Sequence, residues 1–388
     1  MVFYDPFDPE VQRDPYPFYE RLREEAPIYQ VPGRGYWVLS RYEDVREAYR
    51  SHEALSSARG NACEPGWQPG LIGKDPPKHT RLRRIVQSVF TRQAIETRWA
   101  PRVAEICEQL VGEASGAGAF DAFRSLTEPL PVRVITELLG IPDGDLAEFK
   151  RWTDHMVAGV SMHMDEEVAR RTETAFLSLS RYFWEKVEER RGSGRDDLVT
   201  LITRAEEDDR LSTKEAVEFC ILLLVAGNET TTNLLGNALV ALCERPEEEA
   251  KLRKDPSLLP GAIEEMFRFG QPSHCFFRQS TRELSYHGVT IPEGSRFLLS
   301  IASGNRDRRA FEEPERFLVD RRPRNDHLAF GSGIHFCLGS MLARLEARTF
   351  FTTLLARTRA MRLAGEITML MNPIVRGPTV LPLELSPA

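Results

Sequence analysis

Cysteine is scarce and scattered in this chain. Its six cysteines stand at positions 63, 107, 220, 243, 275 and 337 of 388 residues, and no two form a C-x-x-C pair. That spacing excludes a zinc ribbon, and a chain with a large core and no secretory leader has little use for a disulfide framework. No leader is expected, because residues 1–17 are acidic, aromatic and proline-rich, with no basic segment ahead of an apolar one. Long hydrophobic runs are missing too. The longest, 219–227, is about half of the eighteen or so residues that a membrane span needs. Positive charge is not in excess: 51 Lys and Arg stand against 58 Asp and Glu, a net charge of -7 with a pI near 5.8, which argues against nucleic acid. Internal repeats and low-complexity linkers are also lacking. These absences lead us to expect one domain over 1–388, a cytoplasmic and reducing setting, no membrane or nucleic-acid partner, and a monomer.

What is present is a 41% apolar composition and a strong helical period. From about 80 to 270 apolar residues recur every three or four positions, as in Ala175, Phe176, Leu179, Phe183 and Val187. Gly192-Ser193-Gly194 and the acidic run 206–209 read as surface connections between helices. Residues 28–31 and 36–39, joined by Pro32-Gly33-Arg34-Gly35, read as a hairpin. A second β region covers 284–286, 289–291 and 297–301, punctuated by His287-Gly288 and Pro292-Glu293-Gly294. The expected fold is mainly α with a small β-rich lobe.

Three segments carry chemistry. In 330–339, Cys337 sits in a glycine-rich loop immediately before an apolar, helix-forming run that starts at Ser340. A helix N-terminus favours a thiolate through its dipole and unpaired N–H groups. Gly331, Gly333 and Gly339 permit backbone angles closed to other residues and let a bulky planar group approach the main chain. This suits a metal held by one sulfur, as in thiolate-bound haem, whereas most lone cysteines are buried packing residues. The second segment opens with a capping box, Ser212-Thr213-Lys214-Glu215, and has no proline until Pro246, so a helix of about 30 residues, about 45 Å long, is expected. Its middle, 221–226, is apolar on every face and is followed abruptly by Gly227-Asn228-Glu229-Thr230-Thr231-Thr232. Either Gly227 makes room for a small ligand while Glu229 and Thr230 handle protons, or the helix is kinked and its hydroxyls satisfy its own carbonyls. Third, Glu265 and Arg268 stand three apart in a short helix begun by Pro260 and ended by Gly270, a spacing that alone signals only a surface pair.

The loop 330–339 matches F-x-x-G-x-H-x-C-x-G at every fixed position, and so resembles the haem-binding loop of the cytochrome P-450 family. The run 226–231 resembles that family's acid–alcohol motif, A-G-x-[D/E]-T-[T/S]. Glu265-x-x-Arg268, followed by Pro314-Glu315-Arg316-Phe317, resembles its E-x-x-R and P-E-R-F segments. Asp75-Pro76-Pro77-Lys78-His79 and Asn305-Arg306-Asp307 extend the likeness along nearly the whole chain. The resemblance implies a triangular helical body with the long helix over haem b (iron protoporphyrin IX). Cys337 would be the axial ligand to the iron and Gly339 part of the cofactor loop. Glu229 and Thr230 would be the catalytic proton-handling pair, and Glu265, Arg268 and Arg316 a buried ionic triad. His79 and Arg83, four apart on one helical face, would clasp a haem propionate, with Arg278 and His335 as further contacts; Arg81 and Arg84 would point elsewhere.

The implied activity is oxygen-dependent monooxygenation of a medium-sized, mostly apolar molecule of terpenoid, steroid, fatty-acid or polyketide type. Electrons would come from NAD(P)H through a separate ferredoxin reductase and ferredoxin. Peroxide-driven chemistry should not need the Glu229-Thr230 pair, and a haem sensor would usually carry an output domain. The pocket would be lined by 56–73, 156–164, 222–230, 272–277 and 373–378, with Arg59, His155, His163, His274 and Arg376 as polar candidates to touch substrate. Arg321, Arg322, Arg324, Arg344 and Arg348 would form a basic face behind the haem for an acidic iron–sulfur protein.

Overall fold

The computed structural model describes residues 2–58, 70–161, 165–208, 210–322 and 326–388. Its centre is the helix Thr213–Cys243, 31 residues long and started by the expected capping box: Ser212 accepts from the Glu215 N–H while the Glu215 carboxylate accepts from the Ser212 N–H. Residues 219–224 are buried all round because the helices Pro129–Leu139 and Glu166–Arg190 pack against it. The second of these, capped by Asp165 through the Val168 N–H, buries Ala175, Leu179, Phe183 and Val187 as the period requires. The helix Ser340–Arg357 runs on the other side of the body, against Ala100–Ala114. These helices share one apolar core, while two smaller clusters fill the β lobe.

In the lobe, strands Ile28–Gln30, Tyr36–Leu39, Arg296–Ser300, Cys275–Ser280 and Leu55–Ser56 lie side by side in that order. The first pair is the expected antiparallel hairpin, and Leu284–Tyr286 with Val289–Ile291 is another. Tyr36–Leu39 pairs parallel with Arg296–Ser300, so the two β regions merge into one sheet. Cys275–Ser280, on which Arg278 sits, was not expected as a strand. Nor was the sheet of Ala119–Asp121, Pro382–Pro387 and Thr358–Leu363. Cys275–Ser280 pairs antiparallel with Arg296–Ser300 and with Leu55–Ser56, and Pro382–Pro387 lies between Ala119–Asp121 and Thr358–Leu363. The loop with Gly192 and Gly194, both at positive φ, connects two helices as expected. Among the described residues no helix is long and apolar enough to cross a membrane.

Candidate active site

The loop around Cys337 is shaped by two of its three glycines. Gly331 has φ +68°, and Gly333 has φ +69° at a point where a Cβ would lie 2.7 Å from the Tyr49 carbonyl oxygen. The backbone-angle expectation fails at Gly339, whose φ is -80°, open to any residue; it caps the following helix, and no protein atom lies within 4 Å of where its Cβ would be. The Cys337 N–H donates to the Phe330 carbonyl (2.9 Å), which folds the sulfur back toward the start of the helix Ser340–Arg357. Cys337 lies deep in the protein yet retains accessible surface. Burial pushes its thiol up; the Gly339 and Ser340 N–H groups and the charges of Arg83 and Arg344 act the other way.

Beside this loop the fold collects nitrogen donors. His79 and Arg83 share a face of the helix Lys78–Val86, and Arg83 donates to the Ile334 carbonyl at 3.2 Å. His79 is buried with neither ring nitrogen hydrogen-bonded, and its ring lies 4.4 Å, centroid to centroid, from that of His335, whose Nε2 is also unpartnered. Arg278 is buried, with its guanidinium 5.2 Å from the centre of the Tyr49 ring. Burial, then the charges of Arg278, His79, Arg83 and His52, press the His335 imidazole down to about 3. Burial and Arg83 likewise lower His79. Leaving the buried imidazole nitrogens of His79 and His335 without a partner costs roughly 1–3 kcal/mol each, so the arrangement suits an anionic group placed against them. The residues present therefore fit a macrocycle with acidic side arms and one sulfur ligand. Among the described residues no cluster of three or more His, Cys, Asp or Glu could hold a bare metal ion.

In the polar patch of the central helix a hydroxyl satisfies the helix's own carbonyl. The Thr230 hydroxyl donates to the Ala226 carbonyl (3.1 Å), and Ala226 is exposed in the midst of a buried helix. At Gly227 a Cβ would meet Ile135 Cδ1 at 2.9 Å, so the glycine also serves close packing of two helices. Glu229 is half-buried beside Lys150, which comes from the helix Leu146–Ser161 and pairs with Glu128 (3.2 Å) and Asp154. Burial raises the Glu229 carboxyl, and Lys150 pulls it part of the way back. Sequence reading missed this lysine. The Lys150–Asp154 spacing was visible, but its depth was not.

The ionic triad requires a correction. Glu265 and Arg268 form a buried two-point pair (2.7 and 2.8 Å), and Arg268 also ties down the carbonyls of Asn305, Pro314 and Arg316. Arg316 itself turns outward to Glu313 (2.6 Å), and the third cation is Arg321, 2.9 Å from Glu265. The turn closed by the Arg316 N–H on the Glu313 carbonyl throws the Arg316 side chain into solvent, and the chain returns inward five residues later. Arg321 therefore leaves the expected basic face. So does Arg344, held by Glu264 at 2.7 and 2.8 Å, whereas Arg348 is half-exposed and paired with Glu96. Arg322 is exposed and Arg324 lies outside the described residues.

Two of the polar substrate candidates have structural duties. His274 is buried and its Nδ1 meets the Tyr19 hydroxyl at 3.0 Å; Arg376 donates to the carbonyls of Gln12 and Arg13. His155 is half-buried, and Arg59 and His163 lie outside the described residues. Arg81 pairs with Glu215 (2.5 Å), away from the histidines, as expected.

Comparison with known proteins supplies the frame for this geometry. The family model described as cytochrome P-450 matches residues 10–360. The cytochrome P-450 monooxygenase PikC of Streptomyces venezuelae is 37% identical, covering 96% of this chain and 91% of its own. The beta-dihydromenaquinone-9 omega-hydroxylase of Mycobacterium tuberculosis is 37% identical, covering 100% of this chain and 79% of its own. The crystal structure of CYP109E1 from Bacillus megaterium in complex with testosterone superposes with a TM-score of 0.90 at 34% identity, covering 97% of this chain and 99% of the other. With the loop, the long helix and the matched length in agreement, this chain belongs to the cytochrome P-450 family of haem b monooxygenases.

Proposed function

We propose that the chain oxidises a medium-sized, mostly apolar small molecule, with Cys337 as the sulfur ligand of its haem and a separate ferredoxin system as electron donor. Bound haem b supplies the iron at which dioxygen is activated for insertion of one oxygen atom into a C–H bond. The protein's share is to hold, orient and protonate. His79, Arg83, Arg278 and His335 receive the propionates. Gly331 and Gly333 shape the loop that presents the Cys337 sulfur, and Glu265, Arg268 and Arg321 fix the segments behind it. The observation that carries the reading is the buried His79 imidazole, neither of whose nitrogens is hydrogen-bonded, against the half-buried His335 ring with its unpartnered Nε2, beside the buried Arg278 and the half-buried Arg83.

Thr230 would hold a proton at its hydroxyl oxygen, and Glu229, whose carboxyl burial raises, would replenish it, with Lys150, Glu128 and Asp154 leading outward. An apolar substrate accords with the buried or partly buried Met156, Leu222, Leu223 and Phe276 in the segments expected to line the pocket, and with the steroid in the CYP109E1 complex. The deciding experiment is Cys337→Ala. Loss of haem, or of the red-shifted carbon monoxide difference band of thiolate-ligated ferrous haem, is expected; persistence of that band would remove Cys337 from this role. Titration of the purified protein against a library of terpenoids, steroids, fatty acids and polyketides, read by the Soret shift, would identify the substrate class.

A further inference from the structure

A second ionic cluster lies one residue from the first. Glu264 precedes Glu265 on the helix Leu259–Phe269, so its side chain leaves the helix about 100° away and meets different partners. Its two oxygens accept from Arg344 Nε (2.7 Å) and Nη2 (2.8 Å), and Oε2 also lies 2.9 Å from His327 Nε2. His327 Nδ1 accepts the Ala329 N–H (3.3 Å), which leaves Nε2 to donate to Glu264. That ring is buried and stacked against Phe267 at 6.0 Å. Arg344, in the first turns of the helix after Cys337, places its guanidinium 4.4 Å over the Phe330 ring, and the Phe330 carbonyl holds the Cys337 N–H at 2.9 Å. One carboxylate thus gathers the entry to the cysteine loop, the ring beside the cysteine and the helix that follows it. Burial would push the Glu264 carboxyl up, but the hydrogen bonds from His327 and Arg344 outweigh it and hold it down at about 2, ionised at any working pH.

We propose that Glu264, His327 and Arg344 form a charge-balanced brace that positions Cys337 and sets the electron affinity of the haem it holds. The inference rests on the reading of Cys337 as the sulfur ligand. The Glu264 carboxylate and the Arg344 guanidinium sit together, and both are mostly buried (14% and 24% exposed side chains), where screening by salt is weak. Reduction adds a negative charge beside Cys337. Arg344 favours that charge and Glu264 opposes it, so the brace holds the two influences near balance. These are positioning residues: they act through Phe330 and the loop.

The test is a spectroelectrochemical titration of the purified holoprotein and its variants. Glu264→Gln leaves Arg344 uncompensated and is expected to shift the reduction potential positive. Arg344→Gln is expected to shift it negative, and the double variant to return toward the parent value. A purely mechanical brace would move the three variants in one direction, so single variants that shift with the same sign, or not at all, overturn the proposal. Arg344→Lys and Glu264→Asp keep the charges while changing the reach, and should stay near the parent potential even if the neutral variants bind haem poorly. Charge-retaining variants that shift as far as the neutral ones overturn it equally. Cys337→Ala in the same series separates the two readings, because retention of the thiolate band there would fault the ligand assignment and not the brace.

Discussion

Glu346 is a buried acid with no counter-charge among the described residues. It lies in the helix Ser340–Arg357 where that helix packs on Ala100–Ala114, it is 2% exposed, and its Oε2 has no hydrogen-bond partner. Burial alone pushes its carboxyl from an ordinary value of 4.5 up to about 8. The sign follows from linkage. The folded protein keeps the proton and the unfolded chain loses it first, so stability is unaffected below about pH 4.5, falls as pH rises between about 4.5 and 8, and levels off above. At about 1.4 kcal/mol per unit, neutral pH costs about 3 kcal/mol relative to pH 4.5, as an upper bound. Glu346→Gln keeps the shape and removes the ionisation. It should therefore be about as stable as the parent at pH 5 and more stable by up to about 3 kcal/mol at pH 7. Urea unfolding of the holoprotein and variant at pH 5, 6, 7 and 8 measures the difference. A stability difference that does not grow with pH would refute the reasoning, because the carboxyl would then have to be paired or hydrated in the fold.

Thr230→Ala should leave substrate-induced spectral shifts intact while more of the consumed NAD(P)H appears as hydrogen peroxide, measured as product per reductant; unchanged coupling would remove the hydroxyl from proton delivery. Lys150→Met removes the charge that draws the Glu229 carboxyl down, so a kinetic pKa belonging to Glu229 should move upward in the pH–rate profile and vanish in Glu229→Gln. Arg321→Gln breaks a buried pair with Glu265 and should destabilise the holoprotein by about 3 kcal/mol in denaturant titration, with loss of the native haem spectrum. Arg316→Gln, on an exposed pair, should leave both nearly unchanged.

The parts of the site that could be read in advance are those whose logic is contained in a few consecutive residues. The capping box Ser212–Glu215 needs four residues and the cysteine loop ten, so each keeps its meaning whatever the rest of the chain does, whereas the Glu265–Arg268 spacing by itself signals a surface pair and only the fold buries it. Gly227 shows the boundary. Its place in the acid–alcohol run was plain, but its steric reason is Ile135, ninety-two positions earlier in the chain, brought within reach only by helix packing. The exchange of Arg316 for Arg321 has a similar cause, since a single turn decides which of two nearby arginines faces inward.

By itself, then, the order of residues determined the mainly helical body, the long central helix, the cysteine loop and the family, because periodicity, caps and glycine placement act over short separations. Only the tertiary structure decided which charges are neutralised. It set Lys150 beside Glu229, Glu264 between His327 and Arg344, and Glu346 alone in the core. A charge's partner depends on which side chains share a low-dielectric space, and that is a property of distance in the fold and not along the chain.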